Sequence, residues 1–234
     1  ERPGKHGLKQ LVRRYLNAPD YDAPIQEYYT HMEDCPPHEL WKYNAYDASY
    51  TYTLRKVLEQ EVDGDGAWLL NNMLYPAANV LAKMEYTGIM IDRPYLQQLS
   101  IDLNKKASEL EQEMFKLAGK EFNPRSPKQL AELLYHDLDL PVPGGEWSTN
   151  EEALKALQEF HPLPAKILEY RGVTKMLRTY VDALLEAADE NDRVHTTFNL
   201  HGTVTGRLSS SNPVNLQNIP KTPEARNAFI ATPG

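Results

Sequence analysis

Leu96, Leu99, Leu103, Ala107, Leu110, Met114 and Leu117 recur at steps of three and four, with charged and amide residues between them. That is the spacing of one apolar helix face. Asp92 and Pro94 suit the first turn of such a helix and Gly119 its stop. The near-heptad repeat predicts a long amphipathic rod lying antiparallel on a partner helix. A second long helix is predicted from about 163 to 189, with Val173, Met176, Leu177, Tyr180, Val181, Leu184 and Leu185 on one face. Shorter helical stretches are predicted over 8–16 and 43–62, and over 69–88 with a bend at Pro76 and a close at Gly88. Residues 88–92, GIMID, alternate like a short strand, and VDGDGAW at 62–68 reads as a loop-like break. Ser126 and Ser148 each stand three residues before Gln129 or Glu151, the pattern of a hydroxyl N-cap, and LPVPGGEWS at 140–148 reads as the loop between those helices. The pattern is that of a mostly α fold with short β-strands (α+β).

Composition narrows the class. Of 234 residues, 41% are hydrophobic and 25% charged, as in ordinary globular proteins. No apolar run approaches the roughly 20 residues of a membrane helix, so no membrane partner is expected. The single cysteine, Cys35, excludes an internal disulfide and suits a reducing compartment. The first residues carry neither a methionine nor an apolar signal segment, which suggests a piece of something longer. The net charge of −8 is unevenly spread: residues 163–234 hold 8 Lys and Arg against 7 Asp and Glu, so this third can meet a polyanion that the total would repel.

Two features of that third carry candidate chemistry. Arg171, Lys175 and Arg178 fall at i, i+4 and i+7, which on an ideal helix makes one narrow basic stripe opposite the apolar face. A solvated helix face is the bland alternative. The second feature is TVTGRLSSSNPVNLQNIP, residues 203–220. It places one charge, Arg207, among five hydroxyls and the amides of Asn212, Asn215, Gln217 and Asn218. Such a stretch is too polar for a core and too rich in donors and acceptors for an idle loop.

TGRLSSSNPVNLQNIP resembles the sequence that opens the palm of family A DNA polymerases. FNPRSPKQLAELL (122–134), PGGEWSTNEEAL (143–154), HPLPAKILEYRGVTKMLRTYVDAL (161–184), RVHTTFNLHGTVTGRLSS (193–210) and ARNAFIATPG (225–234) are similar to further segments of the same family, in the family's order. LLYPAANVLAKMEYTGIMID (69–92) is similar to the entry into its polymerase domain. YNAYDASYTYTL (43–54) resembles the third motif, Tyr-x-x-x-Asp, of its 3′–5′ exonuclease.

The resemblance implies an arrangement of three parts. Residues 1–66 would be the end of an exonuclease-like domain, 67–192 the thumb with its entry helix, and 193–234 the start of the palm. Arg171 and Lys175 would contact primer-strand phosphates, and Arg178 extends the stripe by geometry alone. Arg207 would reach the minor groove at the primer terminus, with Asn215, Gln217 and Asn218 lining template and primer near that pair. Tyr43 would orient an attacking water and Asp47 would be a metal ligand. The parent enzyme would use Mg²⁺, none of it held tightly by this segment alone.

The implied partners are primer–template DNA and the remaining palm and fingers, in the same parent chain or a separate subunit. The implied location is the nucleoid, or a host cytoplasm if the protein is viral. Two departures stand out. Val214 intervenes after Pro213, so Asn212 competes with Asn215 for the amide's place. The thumb loop has LPV and Trp147 about its glycines rather than lysines. A stand-alone DNA-binding module and a subunit of a split polymerase remain the alternative functions. A free-standing exonuclease has only one of its three motifs here.

Overall fold

The computed structural model describes residues 7–200 and 202–232. The chain divides into two compact units, Glu1–Val80 with Val204–Gly206 and Leu81–Thr203 with Arg207–Gly234. In the first unit, α1 (Leu8–Leu16) ends where Asn17 turns left-handed, at φ 50°. It packs on α2 (Pro37–Glu61) around buried Val12, Tyr21 and Leu54. Helix α2 starts earlier than the sequence predicts, because Pro37 lies in its first turn, where its fixed φ fits and its missing N–H is not needed.

The predicted break at 62–68 shrinks to Val62 and Asp63. The Asp63 carboxylate accepts the Gly66 N–H at 2.7 Å and so starts α3 (Gly64–Leu69). An acid before two glycines is a cap here and not a loop. A π turn over Leu70–Leu74 follows, then α4 (Tyr75–Thr87). Pro76 cannot donate, and its ring crowds the carbonyl four residues back, so the helix widens just before it and continues.

The second unit takes in α4 from Leu81 on and continues with β1 (Ile89–Met90) and α5 (Arg93–Ala118). The Asp92 carboxylate accepts the Tyr95 N–H at 2.9 Å, and Gly119 closes the helix at φ 69°. Next come α6 (Pro127–Glu132), capped by Ser126, α7 (Glu151–Leu157) and α8 (Leu163–Lys175). The cap of α7 is Asn150, whose Oδ1 accepts the Ala153 N–H at 2.8 Å. Ser148, expected to be that cap, instead accepts the Asn150 N–H and turns the chain toward the helix.

Rods α5 and α8 are antiparallel, as the heptad spacing predicts. Lys166 pairs with Glu113 at 2.7 Å, the Tyr170 hydroxyl donates to Glu111, and Glu169 pairs with Lys106 at 3.1 Å. Ser100 donates to Asp182 at 3.1 Å. Positions thus descend along α5 as they rise along its partner. The second rod is not one helix to 189, however. After Lys175 it passes through a π turn, Met176–Asp182, and resumes as α9 (Ala183–Ala187).

One core joins Leu110 and Met114 to Leu130, Leu134, Leu154, Leu157, Ile167 and Tyr170. The other joins Ile91, Leu96, Val181, Leu184, Val194, Val214 and Ala228. Over that second core, β2 (Arg193–Val194) pairs antiparallel with β1, and β3 (Thr197–Asn199) pairs with β4 (Ser209–Ser211) in the register Phe198 to Ser210. A 3₁₀ turn, Leu216–Asn218, and a short α10 (Pro223–Arg226) complete the unit. Ile91 bridges to Phe229, which ties the chain after α10 to the strand before α5.

Candidate nucleic-acid interface

Strand periodicity turns the middle serine of SSS inward: Ser210 is 4% exposed, while its neighbours are half-buried. Its hydroxyl donates to Asn215 Oδ1 at 2.7 Å and accepts the Gln217 N–H at 3.2 Å. The same Asn215 Oδ1 caps the turn by accepting the Gln217 N–H at 3.1 Å. Thr196, also buried, places its hydroxyl 2.8 Å from each of two carbonyls, those of Ser211 and Val214. Two buried hydroxyls thus pin the ends of the 211–217 turn. Ser210 is marked in the sequence only by the period-2 alternation of its strand, and Thr196, between β2 and β3, not even by that.

Val214, the residue that breaks the family spacing, is 5% exposed and packs in the second core. It anchors the turn from below. Asn215, rather than Asn212, holds the capping place: the Asn212 side chain has no hydrogen bond among the described residues, and only its carbonyl is used, by the Thr197 N–H at 3.0 Å. The side chains of Gln217 and Asn218 stand exposed beside it.

Arg207 lies on the loop between β3 and β4. The Thr203 hydroxyl donates to its carbonyl at 2.6 Å, while its guanidinium is exposed and without a hydrogen-bond partner among the described residues. The structure therefore joins Ser210, Asn215 and Gln217 into one hydrogen-bonded turn and leaves Arg207 outside that network.

The three cations of the second rod sit in different surroundings. Arg171 is half-buried and donates to the Thr149 carbonyl and, at 3.5 Å, to its hydroxyl. Burial lowers its pKa from the ordinary value. It joins α8 to the loop before α7, a role invisible to helical spacing. Lys175 and Arg178 are exposed and have no ion-pair partner among the described residues. Arg178 lies in the π turn that follows Lys175. Arg171 and Lys175 line one shallow depression with Glu151, Lys155 and Gly172, and Arg178 lines another with Asp182, Leu185 and Glu186. Glu169, the acid nearest in sequence, is engaged by Lys106 and Lys166.

In the first unit, Tyr43 and Asp47 meet on one side of α2, as their i, i+4 spacing requires. They meet around a side chain that the sequence reading missed, Lys9 of α1. The Lys9 ammonium donates to Asp47 Oδ1 and, at 3.0 Å each, to the hydroxyl oxygens of Tyr21 and Tyr43. The Tyr21 hydroxyl donates to Asp47 at 2.6 Å. Burial would raise the Asp47 pKa, but the bonds from Lys9, Tyr21 and Tyr43 outweigh it and hold the carboxyl below its ordinary range. Burial, helped by the bond to Asp47, pushes Tyr21 up to about 12. These residues do not fit a divalent ion: one carboxylate is already neutralised by an ammonium. Among the described residues no three His, Cys, Asp or Glu side chains converge to hold a metal.

The second unit is thus a pair of antiparallel helical rods carrying short antiparallel strands and a pinned, amide-rich turn. DNA polymerase family A matches over residues 93–234, well over half of the chain. The chain belongs to that family. It is 43% identical over 202 residues to the thermostable DNA polymerase I of Thermus caldophilus, covering 81% of this chain and 24% of the relative. It is 41% identical over 202 residues to DNA polymerase I of Treponema pallidum, covering 82% of this chain and 20% of the relative. Its fold is similar, at a TM-score of 0.78 and 31% identity, to the POL domain of Pol1 from M. smegmatis in complex with DNA primer-template and dNTP. That match covers 95% of this chain and 37% of the other. The chain thus spans about a quarter of the length of the curated relatives it matches.

Proposed function

We propose that this segment holds primer–template DNA for a family A DNA polymerase and that the complete enzyme carries out template-directed nucleotidyl transfer. The observation that carries the reading is the turn over 209–218, in a chain that belongs to this family. Buried Ser210 and Val214 fix its backbone, while Gln217 and Asn218 stay exposed and the exposed Arg207 precedes β4. Minor-groove acceptors, purine N3 and pyrimidine O2, are shared by all base pairs. One long cation and a few short amides can test the shape of a pair there without reading its sequence. More charge would favour phosphates.

On this reading Lys175 and Arg178 meet backbone phosphates, which position the duplex and carry no sequence information. Arg171 contributes to both jobs: two of its nitrogens hold Thr149, and its placement beside Lys175 adds positive potential. Residues 1–66 correspond to the end of an exonuclease-like domain, 67–192 to the thumb and 193–234 to the start of the palm. In the complete enzyme Mg²⁺ would neutralise charge developing on the transferred phosphate. The role proposed for this segment is duplex holding. The partners are the DNA and the remaining palm and fingers, in one chain or two. The location is the nucleoid, or a host cytoplasm for a viral protein.

The test is the salt dependence of duplex binding by this chain. Each phosphate contact contributes about −0.9 to the log–log slope, so Lys175→Ala with Arg178→Ala should flatten it by about 1.8. An unchanged slope would reduce both residues to a solvated helix face.

A further inference from the structure

The Lys9 ammonium has three N–H donors, and all three are used. Its acceptors are one carboxylate oxygen, on Asp47, and two phenolic oxygens, on Tyr21 and Tyr43, so the three oxygens form a cradle around a cation. The cradle is tight. Lys9 and Asp47 keep only 23% and 30% of their side-chain surface exposed, and the ammonium lies 4.4 Å and 4.1 Å from the centres of the two tyrosine rings.

One turn further along α1, Arg13 engages the neighbouring acids Asp20 and Asp22. Helix α1 thus presents two cations at i, i+4 to the acids of this unit. The Asp22 carboxylate is further occupied by the Tyr29 hydroxyl at 2.8 Å. Among the described residues no group of three His, Cys, Asp or Glu side chains forms around Asp47, and Lys9 fills the place beside it.

We infer that the cradle of Asp47, Tyr21 and Tyr43 is a cation site whose cation is built in: Lys9 occupies it and excludes divalent ions. An ammonium and a hydrated divalent cation cannot share one carboxylate oxygen at contact distance. The permanent occupant makes the cluster a brace between α1 and α2 rather than a centre of hydrolysis. Removing the charge while keeping the apolar stem, as in Lys9→Met, opens the cradle to a hard cation that prefers oxygen ligands.

Terbium(III) is a suitable probe, because its emission is sensitised by tyrosine and two tyrosines line the cradle. The chain is titrated with terbium as wild type, Asp47→Asn, Lys9→Met and the double variant. Lys9→Met should gain an emission component that Asp47→Asn removes and that excess magnesium competes away, whereas wild type and Asp47→Asn should give the same curve. An Asp47-dependent component in the wild type, or none in a folded Lys9→Met, would overturn the inference. If Lys9→Met does not fold, the wild type still decides. Paramagnetic manganese(II) should leave the NMR side-chain signals of Lys9 and Tyr21 no broader than the same signals in Asp47→Asn, and Asp47-dependent broadening would overturn the inference.

Discussion

Arg171 has a structural duty that its exposed neighbours Lys175 and Arg178 lack. Its guanidinium is half-buried against Thr149, so Arg171→Ala leaves the Thr149 carbonyl without its donor. The expected cost is about 1–3 kcal/mol of stability, the range for an acceptor left without its partner. Lys175→Ala and Arg178→Ala, both exposed, should leave the melting temperature unchanged while lowering duplex affinity. Thermal denaturation of the three variants checks this, and equal melting temperatures throughout would remove Arg171 from the structural account.

The basic residue types were legible from the sequence, but their division was not. Helical spacing assumes 3.6 residues per turn, and it shows neither the Thr149 contact that takes up Arg171 nor the π turn that starts at Met176. Lys9 was invisible for a different reason. It lies 38 residues from Asp47, and no local pattern links α1 to α2. Ser210 was legible in principle, as the inward member of an alternating strand, and Asn215 could be told from Asn212 only once Val214 was seen to be buried.

Elements that hold the polar turn also respond to local chemistry. At the close of α4, Gly88 has φ 64°, and a Cβ there would meet His195 Nδ1 at 2.9 Å and the Val194 carbonyl at 3.0 Å. Gly88→Ala should therefore cost at least about 1–3 kcal/mol, combining left-handed strain with a clash against backbone. A melting temperature equal to wild type would contradict this placement.

His195 closes the same joint, with Nδ1 2.7 Å from the Glu85 carbonyl and Nε2 3.3 Å from Asp189. The Glu85 carbonyl first, and then Asp189, raise its pKa above the ordinary 6.5. A raised folded-state pKa means that the stabilisation is fully present below the unfolded value. It is lost as pH rises through the folded one. The joint should weaken from mildly acidic to mildly alkaline conditions, and His195→Gln should flatten that part of the stability curve. A wild-type curve that rises there, or that keeps its slope in the variant, would contradict the assignment. The sequence marked Gly88 as a helix stop, but it could not show that the histidine packed on it comes from 107 residues later.

For the whole molecule, most helices were legible because caps and apolar periodicity agree: α1, α5 and α6 begin where the pattern places them. The errors fall where one local rule competes with another, as at Asp63 among glycines and at Asn150 two residues after Ser148. The family was legible in the order of its segments, and its match over residues 93–234 bears this out. If the proposed duplex-holding role is right, the chain by itself should not extend primers. It should do so when combined with a polypeptide carrying the rest of the palm and fingers.

The most direct measurement uses that combined enzyme and Arg207. Single-nucleotide insertion is compared for wild type and Arg207→Ala on primers ending in a matched and in a mismatched pair. If Arg207 meets minor-groove acceptors that only a well-formed terminal pair presents, kcat/KM on the matched primer should fall about 5- to 150-fold. Extension of the mismatched primer should fall much less, since the contact is already broken there. Equal losses on both primers would contradict a shape-testing role and leave Arg207 as a phosphate or structural contact.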